Sequence, residues 1–224
     1  MIAALGPADL AALALFPLPR AVLFPGARLP LHVFEARYRR MLADCLDSGR
    51  MTMAVVQLQP GGHAQHDARP PIQPIAGAGR IVRQRKNADG TYDIELTGVA
   101  RVRLHELELA GLPYRRARAE VLGDQEPDGG IARAELGALW SLAAQIGQHV
   151  RRIDGRFTLQ ASPTDEASAL ADRIADQLVT DPDIRQQILE TLAVDRRVEL
   201  VRSHLARLHL ALLASESTET RTLH

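Results

Sequence analysis

The sequence predicts an α+β protein, with a curled six-stranded pseudo-barrel over residues 14–123 followed by a four-helix bundle over residues 131–214. Three observations support this. Short apolar runs punctuated by Pro and Gly fill the first half, and apolar residues at alternating steps of three and four fill the second. The polar stretch GDQEPDGG, from Gly123 to Gly130, separates them as a composition break. Residues 1–13 and 215–224 are expected to be flexible ends.

The first strong element is the apolar run Ala14 to Leu18, after which prolines recur at 17, 19, 25 and 30. Proline cannot donate to a ladder, so this region predicts short, edge or crossing strands and not a helix. Within VLFPGARLPLHVFEARY, Pro25-Gly26 predicts a tight bend, because proline presets φ and glycine tolerates positive φ at the next position. From Glu35 the period changes: Tyr38, Met41, Leu42 and Cys45 fall on one helical face, with Arg37, Arg39, Arg40 and Asp44 on the other. The stretch therefore predicts strand, bend, strand and helix entry.

Met51 to Gln59 predicts a buried strand, and Pro60 to Pro74, aperiodic and rich in Pro, Gly, His and Gln, a mobile loop. Gly77-Ala78-Gly79 is expected to form a strand-entry turn. The segments RIVRQRK and TYDIELTG flank Asn87-Ala88-Asp89-Gly90, which predicts a hairpin. Gly98 marks a break or bulge, and Tyr114 to Val121 gives a last strand with Ala117, Ala119 and Val121 inward. Such a sheet protects its edges by curling into a barrel.

In the second half, Ala132 to Val150 carries one apolar stripe. Ser162-Pro163-Thr164-Asp165 predicts a capped helix start, and Asp181-Pro182 another. The final helix is expected from Asp195, through Val198, Val201, Leu205, Leu208 and Leu212.

Composition narrows the function. The chain has 224 residues, with 27 Lys+Arg against 27 Asp+Glu, so no net charge draws it to nucleic acid phosphates or anionic lipid. Aromatic residues are 4%, too few for a base-stacking platform, which argues against nucleic acid. One cysteine, Cys45, excludes an internal disulfide and is expected in the core. The apolar start lacks a basic n-region, and no run approaches the roughly 18 apolar residues of a membrane span, so a cytoplasmic location is expected and no membrane partner.

Catalytic patterns are scarce. No phosphate-binding GxxxxGK[ST] loop occurs, and no serine has the G-x-S-x-G context. His63 and His66 with Asp67 are the one weak metal candidate; in a flexible loop they would pay ordering entropy, so no cofactor is expected. Glu35 and Arg37, with Pro25 and Gly26, are expected to be structural, an acid at a helix start paired with nearby base. Phe24, Arg28, Pro30, Phe34 and Tyr38 are candidate contacts for a bound polypeptide.

With those pieces in place, the chain resembles the N-terminal domain of Lon-type ATP-dependent proteases, and particularly stand-alone bacterial proteins of that domain. The likeness is carried by FPL (Phe16 to Leu18), VLFPGARLPLHVFEARY, GAGRIV, DGTYDIELTGVARVRL, LADRIADQL and QQILETLAVDRRVELVRSHL. The resemblance implies a PUA-like pseudo-barrel followed by a helical bundle. It also implies a role in selecting and holding protein substrates for separate ATPase and protease domains, for which the 224 residues leave no room. The expected function is thus a non-catalytic module that binds unfolded or extended protein segments, in the groove between barrel and bundle, and serves a protease or chaperone machine. The sequence leaves the oligomeric state undetermined. The competing readings are an RNA-binding protein, by fold analogy to PUA-like barrels, and a hydrolase or metal enzyme using the His63-His66 loop.

Overall fold

In a computed structural model, the described residues are 4–59, 69–109 and 111–222. The chain divides into two compact units, Met1–Gly123 and Asp124–His224. No helix among the described residues is long and apolar enough to cross a membrane.

The first unit begins with a one-turn helix α1 (Pro7–Ala11) and strand β1 (Leu13–Leu18), followed by β2 (Arg28–Val33), helix α2 (Ala36–Asp47) and β3 (Thr52–Gln57). It continues with β4 (Ile75–Lys86), β5 (Tyr92–Leu107) and β6 (Arg116–Leu122). All six strands belong to one sheet in the order β2-β5-β4-β3-β1-β6, and a further β5–β6 pairing closes it. The closed ring is therefore β1, β3, β4, β5 and β6. Among the strand pairs of the described residues only β1–β3 is parallel.

Sixteen residues give β5 two roles. Its second half, from Arg101 to Leu107, pairs β6 and completes the ring, whereas its first half, Tyr92 to Thr97, pairs β2 in an overhang. A small ring leaves a narrow interior, and alanine fills much of it. Ala54, Ala76, Ala78, Ala117 and Ala119 pack there with Leu13, Leu15, Val56, Val102 and Leu104.

The hairpin forms as the sequence predicts: Asn87 donates its amide to the Thr91 carbonyl at 2.8 Å, and Gly90 adopts φ +80°. Gly98 does mark a bulge, since Ala78 faces Ala100 while Gly79 faces Gly98, leaving Val99 unopposed. Gly77-Ala78-Gly79, however, is not a turn. It lies inside β4, with Ala78 turned into the ring and the glycines on the opposite face.

Those glycines make room for another part of the chain. Val22, Leu23 and Phe24 are buried and belong to no strand. A Cβ built on Gly77 would lie 1.8 Å from the Leu23 carbonyl oxygen, and one on Gly98 would lie 2.0 Å from that of Phe24. The crossing segment thus lies directly on the glycine backbone of β4 and β5. Pro25-Gly26 turns the chain out of this crossing, with Gly26 at φ +78° and the Ala27 amide donating to the Phe24 carbonyl at 3.1 Å. Gly26 donates to the Gly98 carbonyl, and the Gly98 amide donates to that of Ala27, each at 2.9 Å. The bend is therefore stitched to the bulge before β2 begins.

Helix α2 buries Tyr38, Met41, Leu42 and Cys45, the stripe read from the sequence. Phe16 of β1 meets the Tyr38 ring at 4.5 Å between centroids. Burial pushes the Cys45 thiol up to about 11, so the reactive thiolate is scarce at neutral pH. A disulfide reagent at pH 8 should therefore label Cys45 only as fast as the first unit opens. Labelling at the rate of a free thiol in native buffer would contradict this burial.

Residues 60–68, which include His63, His66 and Asp67, lie outside the described residues. The later part of the segment expected to be a loop is ordered: Leu58 bridges Ile72, and Gln73 donates to the Gln57 carbonyl at 2.9 Å.

The second unit has helices α3 (Arg133–Ile153), α4 (Ala167–Leu178), α5 (Pro182–Glu190) and α6 (Val194–Thr222). Asp181 caps α5 as expected, accepting from the amides of Asp183 and Ile184 at 2.9 and 3.3 Å. Ser162 and Asp165 also make their cap-like bonds, the Ser162 amide donating to Asp165 Oδ2 at 2.8 Å, but they close a separate turn and α4 starts at Ala167. The backbone of α6 stays helical into the polar segment that the sequence reading left flexible. Arg197, fully buried, ties this unit together through Asp172 and Asp124.

Candidate functional site

The candidate site is the exposed side of the β2 overhang and the corner leading into α2. Among the described residues strand β2 is the outermost strand of the sheet and pairs only with β5, in the register Arg28↔Thr97 to Val33↔Tyr92. The Gly98 amide bonds the Ala27 carbonyl across this pair. Backbone groups alternate along an antiparallel strand, so Leu29, Leu31 and Val33, like the Ala27 carbonyl, turn theirs toward β5, and Arg28, Pro30 and His32 turn theirs to the open edge. Pro30 thus places its missing donor where no ladder bond is lost, which is how an edge tolerates proline.

The side chains alternate too. Arg28, Pro30 and His32 are exposed, whereas Leu29 and Leu31 are half-buried and Val33 is buried. Phe34 follows at the same parity and is 63% exposed. Its ring stacks on His32 at 6.2 Å between centroids, with 21° between planes. Across the strand, His32 Nδ1 lies 2.7 Å from Asp93 Oδ1, and Arg28 lies 3.3 Å from Glu95. Arg85 donates to Asp93 at 2.6 Å. Hydrogen bonds from Arg85, His32 and Asn87 hold the Asp93 carboxyl far below the usual carboxylate range. Pro30, Val82 and Glu95 line an open trough of about 670 Å³ across this face.

The overhang has a second open edge, because β3 pairs β4 only as far as Arg80. There Arg83, Arg85 and Lys86 are all exposed, and such charge opposes the approach of another strand. The β2 edge has fewer charges and an aromatic ring at its end. It presents less charge to an approaching strand.

Beyond Phe34 the chain enters α2. Glu35 accepts from Arg37 Nε at 2.9 Å, a local pair at the helix start. Arg37 also lies over the Tyr38 ring, 4.5 Å from its centroid. Tyr38 and Arg37 line a small cleft of about 60 Å³ with Arg69, Tyr114 and Arg115, walled by prolines. Arg115 is fixed by Glu106, at 2.8 and 2.5 Å, and by the Pro70 carbonyl at 2.6 Å. Tyr114 donates to Asp44 at 2.7 Å and accepts from Arg116 at 2.6 Å.

The five residues expected to contact a polypeptide therefore separate. Arg28, Pro30 and Phe34 share the open edge. Phe24 is fully buried beneath the Pro25-Gly26 bend, so its ring is core and offers no contact to a ligand. Tyr38 is 5% exposed and lines the cleft. Sequence reasoning missed His32, although its alternation with Arg28 and Pro30 carried the signal. It also missed Arg69, and no local pattern distinguishes Arg115 from its basic neighbours Arg116 and Arg118.

Among the described residues no group of three or more His, Cys, Asp or Glu is placed to hold a metal. Ser48, Ser141 and Ser203 hydrogen-bond within their own helix or its cap.

The sequence profile of the ATP-dependent protease La (LON) substrate-binding domain matches residues 12–207. A Lon protease of Roseiflexus castenholzii is 30% identical over 199 residues, covering 87% of this chain and 24% of that protein. Lon protease 2 of Myxococcus xanthus is 26% identical over 196 residues, covering 87% and 23%. The chain thus spans about a quarter of the length of these relatives. The fold is similar to that of a Lon N-terminal domain protein from Xanthomonas campestris, with TM-score 0.58, 24% identity, and 86% of this chain and 98% of that one covered. It is also similar to the N-terminal domain of Mycobacterium avium complex Lon protease, with TM-score 0.61, 14% identity, and 87% and 98% covered.

Proposed function

The chain belongs to the ATP-dependent protease La (LON) substrate-binding domain family, and we propose that it binds extended segments of unfolded proteins at the β2 edge without cutting them. The observation that carries this reading is the open backbone of Arg28, Pro30 and His32 beside the exposed Phe34 ring. An added strand gains main-chain hydrogen bonds from a free edge, and alternate side chains select it. Arg28 and His32 supply donors there, and Arg28, Pro30 and His32 supply acceptors. Phe34 is the apolar anchor, a large ring that a partner desolvates. Chain ordering opposes the association, so a single edge of six residues gives weak, exchangeable binding. Such binding suits a module that holds a substrate for a separate proteolytic machine.

Fluorescence anisotropy with a labelled, reduced and alkylated polypeptide tests this. Saturable binding is expected, with the polypeptide recovered intact afterwards. Phe34→Ser should weaken it about tenfold and leave the melting temperature unchanged, because Phe34 makes little core contact. A curve that does not saturate, or one indifferent to Phe34, would overturn the reading.

A further inference from the structure

We propose that the small cleft behind the β2 corner recognises a carboxylate carried by the polypeptide ligand, through the Tyr38 hydroxyl and the guanidinium groups of Arg37 and Arg115. The polypeptide as its source rests on the function proposed above; the chemistry of the cleft does not.

Among the described residues every charged side chain lining the cleft is cationic: Arg37, Arg69 and Arg115 reach it, and no described Asp or Glu does. Arg37 and Arg115 are each anchored from outside, by Glu35 and by Glu106. Both pairings leave N–H groups over, since a guanidinium carries five donors, Arg37 uses two here and Arg115 three. Anchored cations lose little freedom when they engage an anion.

Tyr38 supplies the second observation. Its side chain is almost wholly buried and lines this cleft, yet among the described residues its hydroxyl has no hydrogen-bond partner. The neighbouring Tyr114 hydroxyl, by contrast, is held on both sides by Asp44 and Arg116. A hydroxyl that opens onto the cleft without a partner there can donate to an acceptor that enters it. Burial raises the Tyr38 pKa, so the group stays a donor at neutral pH. One donor hydroxyl and two guanidinium groups lining the same cleft suit a carboxylate, and the proline walls suit an apolar chain beside it. Tyr38 lies four residues beyond Phe34, in the first turn of α2.

The carboxylate can come from a chain terminus or from an acidic side chain. Two experiments on the full chain separate these and test the cleft itself. The first is an NMR titration with sodium acetate at constant ionic strength, with chloride and inorganic phosphate as controls. Saturable shifts are expected at Arg37, Tyr38 and Arg115, and should vanish in a folded Tyr38→Phe variant. Shifts spread over surface arginines, shifts matched by chloride, or tighter binding of phosphate than of acetate would each overturn the proposal.

The second compares one extended apolar peptide as the free acid, as the C-terminal amide, and as the amide with an internal Glu. At least one acidic form should bind about tenfold tighter than the plain amide. That preference should disappear in Tyr38→Phe and Arg37→Gln, and whichever form holds it identifies the source. Phe34→Ser should weaken all three forms by the same factor. Equal binding of all three would overturn the carboxylate proposal and leave the β2 edge standing. Localised acetate shifts with no peptide binding would sink the edge reading and support the cleft.

Discussion

Asp172→Ala is expected to lose about 3–5 kcal/mol of stability, a large part of the 5–15 kcal/mol that holds an ordinary domain folded. Arg197 has no exposed surface and Asp172 has 2%. Asp172 accepts from Arg197 Nη1 at 3.2 and 3.3 Å, and Arg197 Nη2 donates to Asp124 and, at 3.4 Å, to the Leu192 carbonyl. Deleting Asp172 leaves a guanidinium in a dry interior with half its compensation, and an uncompensated buried charge is among the costliest single defects. Asp124 is 30% exposed, so water can replace it and Asp124→Asn should cost about 1 kcal/mol. Urea unfolding followed by circular dichroism measures both. The double variant Asp172→Leu, Arg197→Met should recover most of the loss, since a packed apolar pair is often as stable as the ion pair it replaces. A change below about 1 kcal/mol for Asp172→Ala would show that Arg197 is not held as described.

Gly77→Ala and Gly98→Ala form the second large case, each expected to cost about 3 kcal/mol or more, the upper end of overpacking. The atoms that a methyl group would strike are the Leu23 and Phe24 carbonyl groups, at 1.8 and 2.0 Å, and backbone cannot swing aside as a side chain does. Accommodation would lift the crossing segment from the sheet and expose Leu23 and Phe24, which are now buried. It would also pull on the Pro25-Gly26 bend and hence on β2. The loss should therefore appear both in the melting temperature and in polypeptide binding. Gly137→Ala is the contrasting control: it lies in α3 with nothing within 4 Å of the added methyl, so it should stabilise by about 0.5–1 kcal/mol. A neutral Gly98→Ala would contradict the close crossing.

Elements whose signals are local were legible in the sequence. The Tyr38, Met41, Leu42 and Cys45 stripe, the Asn87 to Gly90 hairpin and the Asp181 cap each depend on residues within a turn or two of one another. The family resemblance drew on the same stretches, and the six-stranded sheet with its helical region agrees with it. What failed to show was long-range. Gly77 and Gly79 look like a turn because only the folded chain brings Leu23 across them. Phe24 and Phe34 stand ten residues apart in similar company, yet one lies beneath a crossing and the other on an open edge. Ser162 and Asp165 make the expected bonds around a turn that the sequence cannot tell from a helix's first turn. Arg115 looks like its neighbours Arg116 and Arg118, and only its bonds to Glu106 and Pro70 set it beside Tyr38.

Hydrogen exchange of the full chain, with and without a saturating unfolded polypeptide, tests the central claim most directly. If an extended segment adds to the sheet, the amides of Arg28 and His32, which face the open edge, should slow together with those near Phe34, while the basic edge from Arg83 to Lys86 stays unchanged. Unaltered exchange at Arg28 and His32 under conditions where the polypeptide is bound would contradict it.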